Sequence, residues 1–226
     1  GKYEAATALF EQVEREFPYS QWATRAELMA AYASYKDGRY DDAILSLDRF
    51  VELHPGNENI DYAMYLKALS YYERISDVAR DQEMTEEALN AFNGLIRRFP
   101  NSSYARDSKF KRDLVLDHLA GKEMEIGRYY LNRKEINAAI NRFRIVIRNY
   151  QTTTHVPEAL HRLVEAYLIL GVKDQAVRIA AVLGHNYPGS PWYEDTYKLL
   201  DDEQLQQIIE DRTWLSKTVD SLFKLE

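Results

Sequence analysis

Amphipathic runs with apolar residues three and four positions apart alternate with short polar turns along the chain, the pattern of helices that each bury one face. The turns share a motif: Phe17-Pro18-Tyr19-Ser20, His54-Pro55-Gly56-Asn57, Phe99-Pro100-Asn101-Ser102 and Tyr187-Pro188-Gly189-Ser190, with Tyr150-Gln151-Thr152 as a fifth copy lacking proline. Proline cannot continue a helix, and a Ser or Asn just beyond it can cap the next one. Ser190 followed by Pro191 is the clearest such cap, with proline at the first helical position.

Counting back from each turn exposes a repeat. A small residue stands twelve positions before the turn residue and an aromatic or aliphatic one eight before it: Ala6 and Phe10, Ala43 and Leu47, Ala88 and Phe92, Ala139 and Phe143, Ala176 and Ala180. This is the second helix of a tetratricopeptide (TPR) repeat, where the small residue lets two antiparallel helices approach and the larger one fills the gap to the next repeat. First helices are predicted over 20–36, 57–75, 121–133 and 156–170. The turns lie 37, 45, 51 and 37 residues apart, against ~34 for a plain repeat. Two insertions are therefore expected, a polar turn over Ser76–Glu83 and an extra helix over Ser103–Ala120. A helix over Trp192–Leu200 and another from Leu205 through Arg212 extend the C-terminal end.

The predicted fold class is all-α, a right-handed superhelical solenoid of about five TPR repeats with insertions and a C-terminal helical tail. The organisation expected is 1–100 as N-terminal repeats with the first one truncated, 101–188 as C-terminal repeats, and 189–226 as a helical extension. Because Gly1-Lys2-Tyr3 already belongs to a second helix, the chain is expected to be part of a longer protein with any targeting segment upstream.

Composition narrows the function. No stretch approaches the ~18 apolar residues of a membrane span. The formal charge of −7 and the sequence pI near 5.4 disfavour a sequence-independent grip on nucleic acid. The cluster Arg106, Lys109, Lys111 and Arg112 is interleaved with Asp107 and Asp113 and reads as a solvated helix face. The chain has no cysteine, and its five histidines form no metal-binding pair; nucleophile-elbow, dinucleotide and phosphate-loop motifs are missing too. No catalytic residues, cofactor or metal are expected.

Binding is the remaining class. In a helical solenoid the first helices line the concave side, and their inward positions are Arg25, Leu28, Tyr32 and Tyr35, then Tyr62, Tyr65, Leu69 and Tyr72. Tyrosine couples a large apolar face to a hydroxyl and is favoured where peptides are gripped. Arg25, Tyr32, Tyr35, Tyr62, Tyr65 and Tyr72 are therefore candidates for a peptide groove, the alternative being that the tyrosines pack between helices. Arg25 and Lys36 are candidates for meeting a peptide's terminal carboxylate. Arg142, Arg144 and Arg148, on a second helix, read either as exposed charges or as a docking face. His161, on an inner face, reads as an ordinary polar contact.

Asp48-Arg49-Phe50 leading to Pro55, Asn59-Ile60-Asp61-Tyr62-Ala63-Met64-Tyr65, Phe99-Pro100-Asn101-Ser102-Ser103-Tyr104, and Gly127-Arg128-Tyr129-Tyr130 followed by Ala138-Ala139-Ile140-Asn141-Arg142-Phe143 give the chain a likeness over about 1–188. It resembles the BamD (ComL) family, the helical-repeat lipoproteins of the outer-membrane β-barrel assembly (BAM) machinery of Gram-negative bacteria. Gln151 departs from the family's proline, and 189–226 is a longer tail than better-known members carry.

The resemblance implies a non-catalytic scaffold at the periplasmic face of the outer membrane, anchored by an N-terminal lipid whose cysteine lies outside this sequence. It implies N-terminal repeats that receive unfolded outer-membrane proteins, whose barrel-forming chains end in a terminal aromatic. It also implies C-terminal repeats that dock the periplasmic (POTRA) domains of BamA, with Arg142 at the family's docking arginine, and association with other BAM lipoproteins. The competing expectation is a generic TPR adaptor of another periplasmic or cytosolic complex.

Overall fold

The computed structural model describes residues 1–78 and 81–200. Among these the chain is all helix and loop: α1 (Lys2–Glu16), α2 (Gln21–Lys36), α3 (Tyr40–Leu53), α4 (Ile60–Tyr72), α5 (Glu83–Arg98), α6 (Ser103–Asn132), α7 (Ile136–Asn149), α8 (Val156–Ile169), α9 (Lys173–Asn186) and α10 (Pro191–Leu199). None of the described helices is long and apolar enough to cross a membrane. The helix expected from Leu205 through Arg212 lies outside the described residues.

The repeating turns are built alike. The residues before the turn positions, Phe17, His54, Phe99, Tyr150 and Tyr187, leave the helix with φ between −134° and −124° and ψ between 43° and 61°. A proline disfavours the helical conformation in the residue before it, which ends the helix there. Tyr150 adopts the same conformation before Gln151, so the turn does not require the ring. In all five, the N–H three residues on donates to the carbonyl of that terminal residue at 3.0–3.1 Å, as from Ser20 to Phe17 and from Thr153 to Tyr150. Ser20 then caps α2 by accepting from Ala23 N, and Ser190 caps α10 by accepting from Trp192 N ahead of Pro191.

The opposite turns, from a first helix to a second, reverse through a left-handed residue: Gly38 at φ 77°, Gly171 at φ 72° and Lys134 at φ 62°. Each lets the next N–H reach back to a carbonyl of the last helical turn, as in Arg39 to Ser34 and Glu135 to Tyr130, both at 3.0 Å.

Two compact units divide the chain, Gly1–Val115 and Leu116–Glu226. In the first, α1 packs on α2, α2 on α3, α3 on α4 and α4 on α5, and α2 also meets α4, the neighbour relation of consecutive TPR pairs. In the second, α7 packs on α8 and α8 on α9, and α10 rests on both α8 and α9. The template positions explain this packing. Ala43, Ala88, Ala139 and Ala176 are fully buried, as are Leu47, Phe92, Phe143 and Ala180. Each large side chain so buried contributes roughly 1.5–3 kcal/mol.

One expectation is corrected. Ser103–Ala120 and 121–133 are not two helices but the single 30-residue α6. Gly121, where the second of the two was expected to start, is buried inside that helix without a positive φ, and glycine there costs only about 1 kcal/mol relative to alanine. The boundary between the two compact units falls within α6.

Candidate functional site

The rotation of α2 is set by a buried carboxylate. Glu27 accepts from Arg49 Nε at 3.0 Å and lies 3.1 Å from His54 Nε2, while Arg49 also reaches Glu14 of α1. An unpaired buried charge would be strongly destabilising, so this pairing pins one side of α2 against α1 and α3. Two residues correspond to about 200° around a helix, and Arg25 accordingly faces away from Glu27 and is exposed.

There it borders a cavity of about 570 Å³. Trp22, Leu28, Met29, Phe50 and Tyr62 supply apolar wall, and Gln21, Thr24, Arg25, Asn57, Glu58 and Asn59 supply polar groups. The cavity thus joins α2 to the start of α4 and the loop before it. Among the described residues neither the Arg25 guanidinium nor the Tyr62 hydroxyl has a hydrogen-bond or ion-pair partner. Burial, with Tyr32 and Tyr104 nearby, pushes the Tyr62 phenol up to about 12.

The other predicted groove tyrosines sit differently. Tyr65 stacks on Tyr104 at 5.1 Å and donates to Asp107 Oδ2 at 2.5 Å. Tyr35 meets Tyr40 at 5.7 Å and donates to Glu73 at 3.4 Å; burial and then Glu73 push its phenol up to about 12. Tyr72 packs edge-on to Phe92 at 6.1 Å, with Lys111 over its ring. Tyr32 packs against the core of the first unit and carries Lys36 above its ring at 5.6 Å. Only Arg25 and Tyr62 of the six predicted groove residues therefore line the cavity. Arg25 and Lys36 do not converge here, since eleven residues of helix separate them by about 16 Å and Lys36 lies over the Tyr32 and Tyr35 rings.

Sequence reasoning missed Trp22, Gln21, Thr24 and the Asn57–Asn59 loop, which fall outside the periodic inward positions, and it missed Tyr104. Tyr104 lies 5.3 Å from Tyr62 as well as stacking on Tyr65, and Ser102 donates to Asp61 at 2.6 Å. The segments around Asn59–Tyr65 and Phe99–Tyr104 thus form one contact surface.

In the second unit the three arginines of α7 face different neighbours. Arg142 Nη1 donates to both oxygens of Glu123 on α6, at 3.0 and 3.3 Å. Arg144 donates to the Tyr167 hydroxyl on α8 at 2.8 Å. Arg148 is exposed, with no ion pair among the described residues. α7 itself contains no acidic residue, and among the described residues only Arg142 of its three cations meets a carboxylate. His161 is an internal contact, 2.8 Å from Thr196 Oγ1 of α10 and 5.2 Å from the Trp192 ring.

Comparison with known proteins supplies the context of this arrangement. Residues 1–183 match the YfiO family, described as outer membrane lipoprotein. The chain is 51% identical over 210 residues to the outer membrane protein assembly factor BamD of Caulobacter vibrioides, covering 93% of this chain and 69% of that protein. It is 50% identical over 203 residues to BamD of Rickettsia prowazekii, covering 90% and 81%, and 39% identical to BamD of Neisseria meningitidis serogroup A, covering 84% and 75%. Matches of this identity and coverage place the chain in the BamD (YfiO) family of outer-membrane protein assembly factors.

Proposed function

We propose that this chain is a non-catalytic scaffold of outer-membrane protein assembly with two protein-binding sites. The first unit receives the end of an unfolded client in the cavity bordered by Arg25 and Tyr62. The second docks the periplasmic (POTRA) domains of BamA through α7, with Arg142, Arg144 and Arg148 as the contacting cations. The family points to a place at the periplasmic face of the outer membrane, beside other BAM lipoproteins and held by a lipid anchor.

The cavity carries the client reading. Its apolar wall suits an aromatic side chain, and its guanidinium and phenol, neither engaged by another described residue, suit the adjoining terminal carboxylate. Tyr35, Tyr65 and Tyr72 support it from outside, as packing that fixes α2, α4 and α6 side by side. The cationic excess on α7 supports the docking reading, since it is complementary to an acidic surface.

Fluorescence anisotropy with a barrel-strand peptide ending in phenylalanine tests the client site. Tyr62→Ala and Arg25→Ala should weaken binding while circular dichroism is unchanged; unaltered affinity in both variants removes the cavity from the account. Arg142→Glu should separately weaken capture of BamA periplasmic domains, and undiminished capture would reject that docking face.

A further inference from the structure

The cavity holds a second unpaired charge. Glu58 lines it from the α3–α4 loop, is exposed, and has no ion pair with Arg25 or with any other described residue. Two opposite charges from separate elements border one space without neutralising each other.

The loop that carries Glu58 is held in shape. Asn57 Oδ1 accepts from Asn59 N at 2.8 Å, bridging over Glu58, and Asn57 N donates to the His54 carbonyl at 3.0 Å. Arg98 of α5 donates to the Pro55 carbonyl at 3.0 Å and fixes the loop from the other side. The backbone on each side of Glu58 is thereby positioned before any ligand arrives, which lowers the ordering cost of using its carboxylate.

From this we infer that the cavity selects the charge of the residue next to the client's carboxy-terminal end, and that Glu58 is the residue that selects it. The inference rests on the client-site reading above. The terminal carboxylate meets Arg25 and the terminal aromatic side chain meets Trp22, Met29 and Tyr62. In an extended chain consecutive side chains point to opposite sides and advance about 3.3 Å per residue, so the penultimate side chain leaves the apolar wall and is presented to the polar loop. A lysine or arginine there pairs with Glu58, and an aspartate or glutamate is repelled. The preferred ligand is an unfolded chain ending in a basic residue followed by an aromatic one.

The test uses three labelled peptides of one strand sequence, ending in Lys-Phe with a free carboxylate, Glu-Phe with a free carboxylate, and Lys-Phe amide, titrated with the full chain. The Lys-Phe acid should bind tightest, with the Glu-Phe acid weaker by on the order of fivefold at low ionic strength and the difference shrinking as salt is added. The amide should also bind more weakly, having lost its charge for Arg25. Glu58→Lys should reverse the order of the two acids and Glu58→Gln should level it; because the side chain is exposed and unpaired, neither change threatens the fold. Equal binding of the two acids by the parent chain, or a preference that persists in Glu58→Lys, overturns the inference while leaving the client site standing. Absence of binding by all three peptides overturns both.

Discussion

Gly127 of α6 lies so close to Phe143 of α7 that a Cβ placed on it would stand 2.4 Å from Phe143 Cε1. The ring is fully buried and part of the second unit's core, so it has nowhere to swing. The approach of α6 to α7, and with it the placement of Glu123 against Arg142, depends on a missing side chain.

Gly127→Ala is accordingly expected to destabilise the chain by about 1–3 kcal/mol, the range for overpacked cores. Thermal unfolding would register a lower midpoint, and a variant as stable as the parent would show that the helices can separate at no cost. Coupling to function follows if BamA capture weakens in the same variant.

Lys134 offers the reverse experiment. It occupies the left-handed turn position that glycine fills at Gly38 and Gly171. A non-glycine residue there costs about 1–2 kcal/mol, whereas the extra unfolded-state freedom of glycine costs roughly 0.5–1 kcal/mol. Lys134→Gly should therefore stabilise by roughly 0.5–1 kcal/mol, seen as a raised urea midpoint; a lowered midpoint would mean that the lysine side chain contributes more than its backbone strain removes.

Tyr65 and Tyr62 separate packing from binding. Removing the Tyr65 hydroxyl leaves Asp107 without its donor, and hydrogen bonds to charged groups are worth roughly 1.5–3 kcal/mol, moderated here by the nearby Lys111 at 3.7 Å. Tyr65→Phe should lower stability and leave peptide affinity intact, whereas Tyr62→Ala should lower peptide affinity. A Tyr65→Phe variant that loses peptide binding at full stability would return Tyr65 to the groove.

The seating of α10 should depend on pH. Thr196 Oγ1 donates to the Trp192 carbonyl at 2.7 Å, so His161 Nδ1 donates to Thr196, leaving Nε2 as the nitrogen that takes up a proton. Burial holds the His161 pKa below its ordinary 6.5; Arg162 adds to this, while Glu165, Asp195 and Glu158 oppose it. Since the folded value is the lower one, neutral His161 contributes stability fully above the unfolded value, and that contribution is lost as pH falls from 6.5 through the lower folded value. Unfolding midpoints should drop between pH 7.5 and pH 5, both chosen to bracket about 6.5. His161→Asn should lose part of that slope, and an identical slope in the variant would exclude His161 as its source.

The helices were legible because two strong local signals coincide, a turn motif every few dozen residues and an alanine twelve positions before it. Ala43, Ala88, Ala139 and Ala176 are all fully buried. The continuity of α6 was not legible, because glycine is a poor helix former and Gly121 stands where the repeat spacing starts a new first helix. The cavity was half legible for a related reason. Arg25 and Tyr62 occupy periodic inward positions, but Trp22 and Glu58 reach the same space from outside that periodicity. The family stretches were recognisable without their reason, which is contact: Asp48 pairs with Lys67, Asp61 with Ser102, and Gly127 admits Phe143.

On the proposed function, one chain holds two separate protein sites. The most direct test is a titration of BamA periplasmic domains into the chain already saturated with a labelled Phe-ended barrel peptide, followed by anisotropy and sedimentation. A ternary complex is expected, with the peptide retained, partner binding weakened by Arg142→Glu alone and peptide binding weakened by Tyr62→Ala alone. Displacement of the peptide by the BamA domains, or loss of both ligands in either single variant, would contradict the two-site proposal.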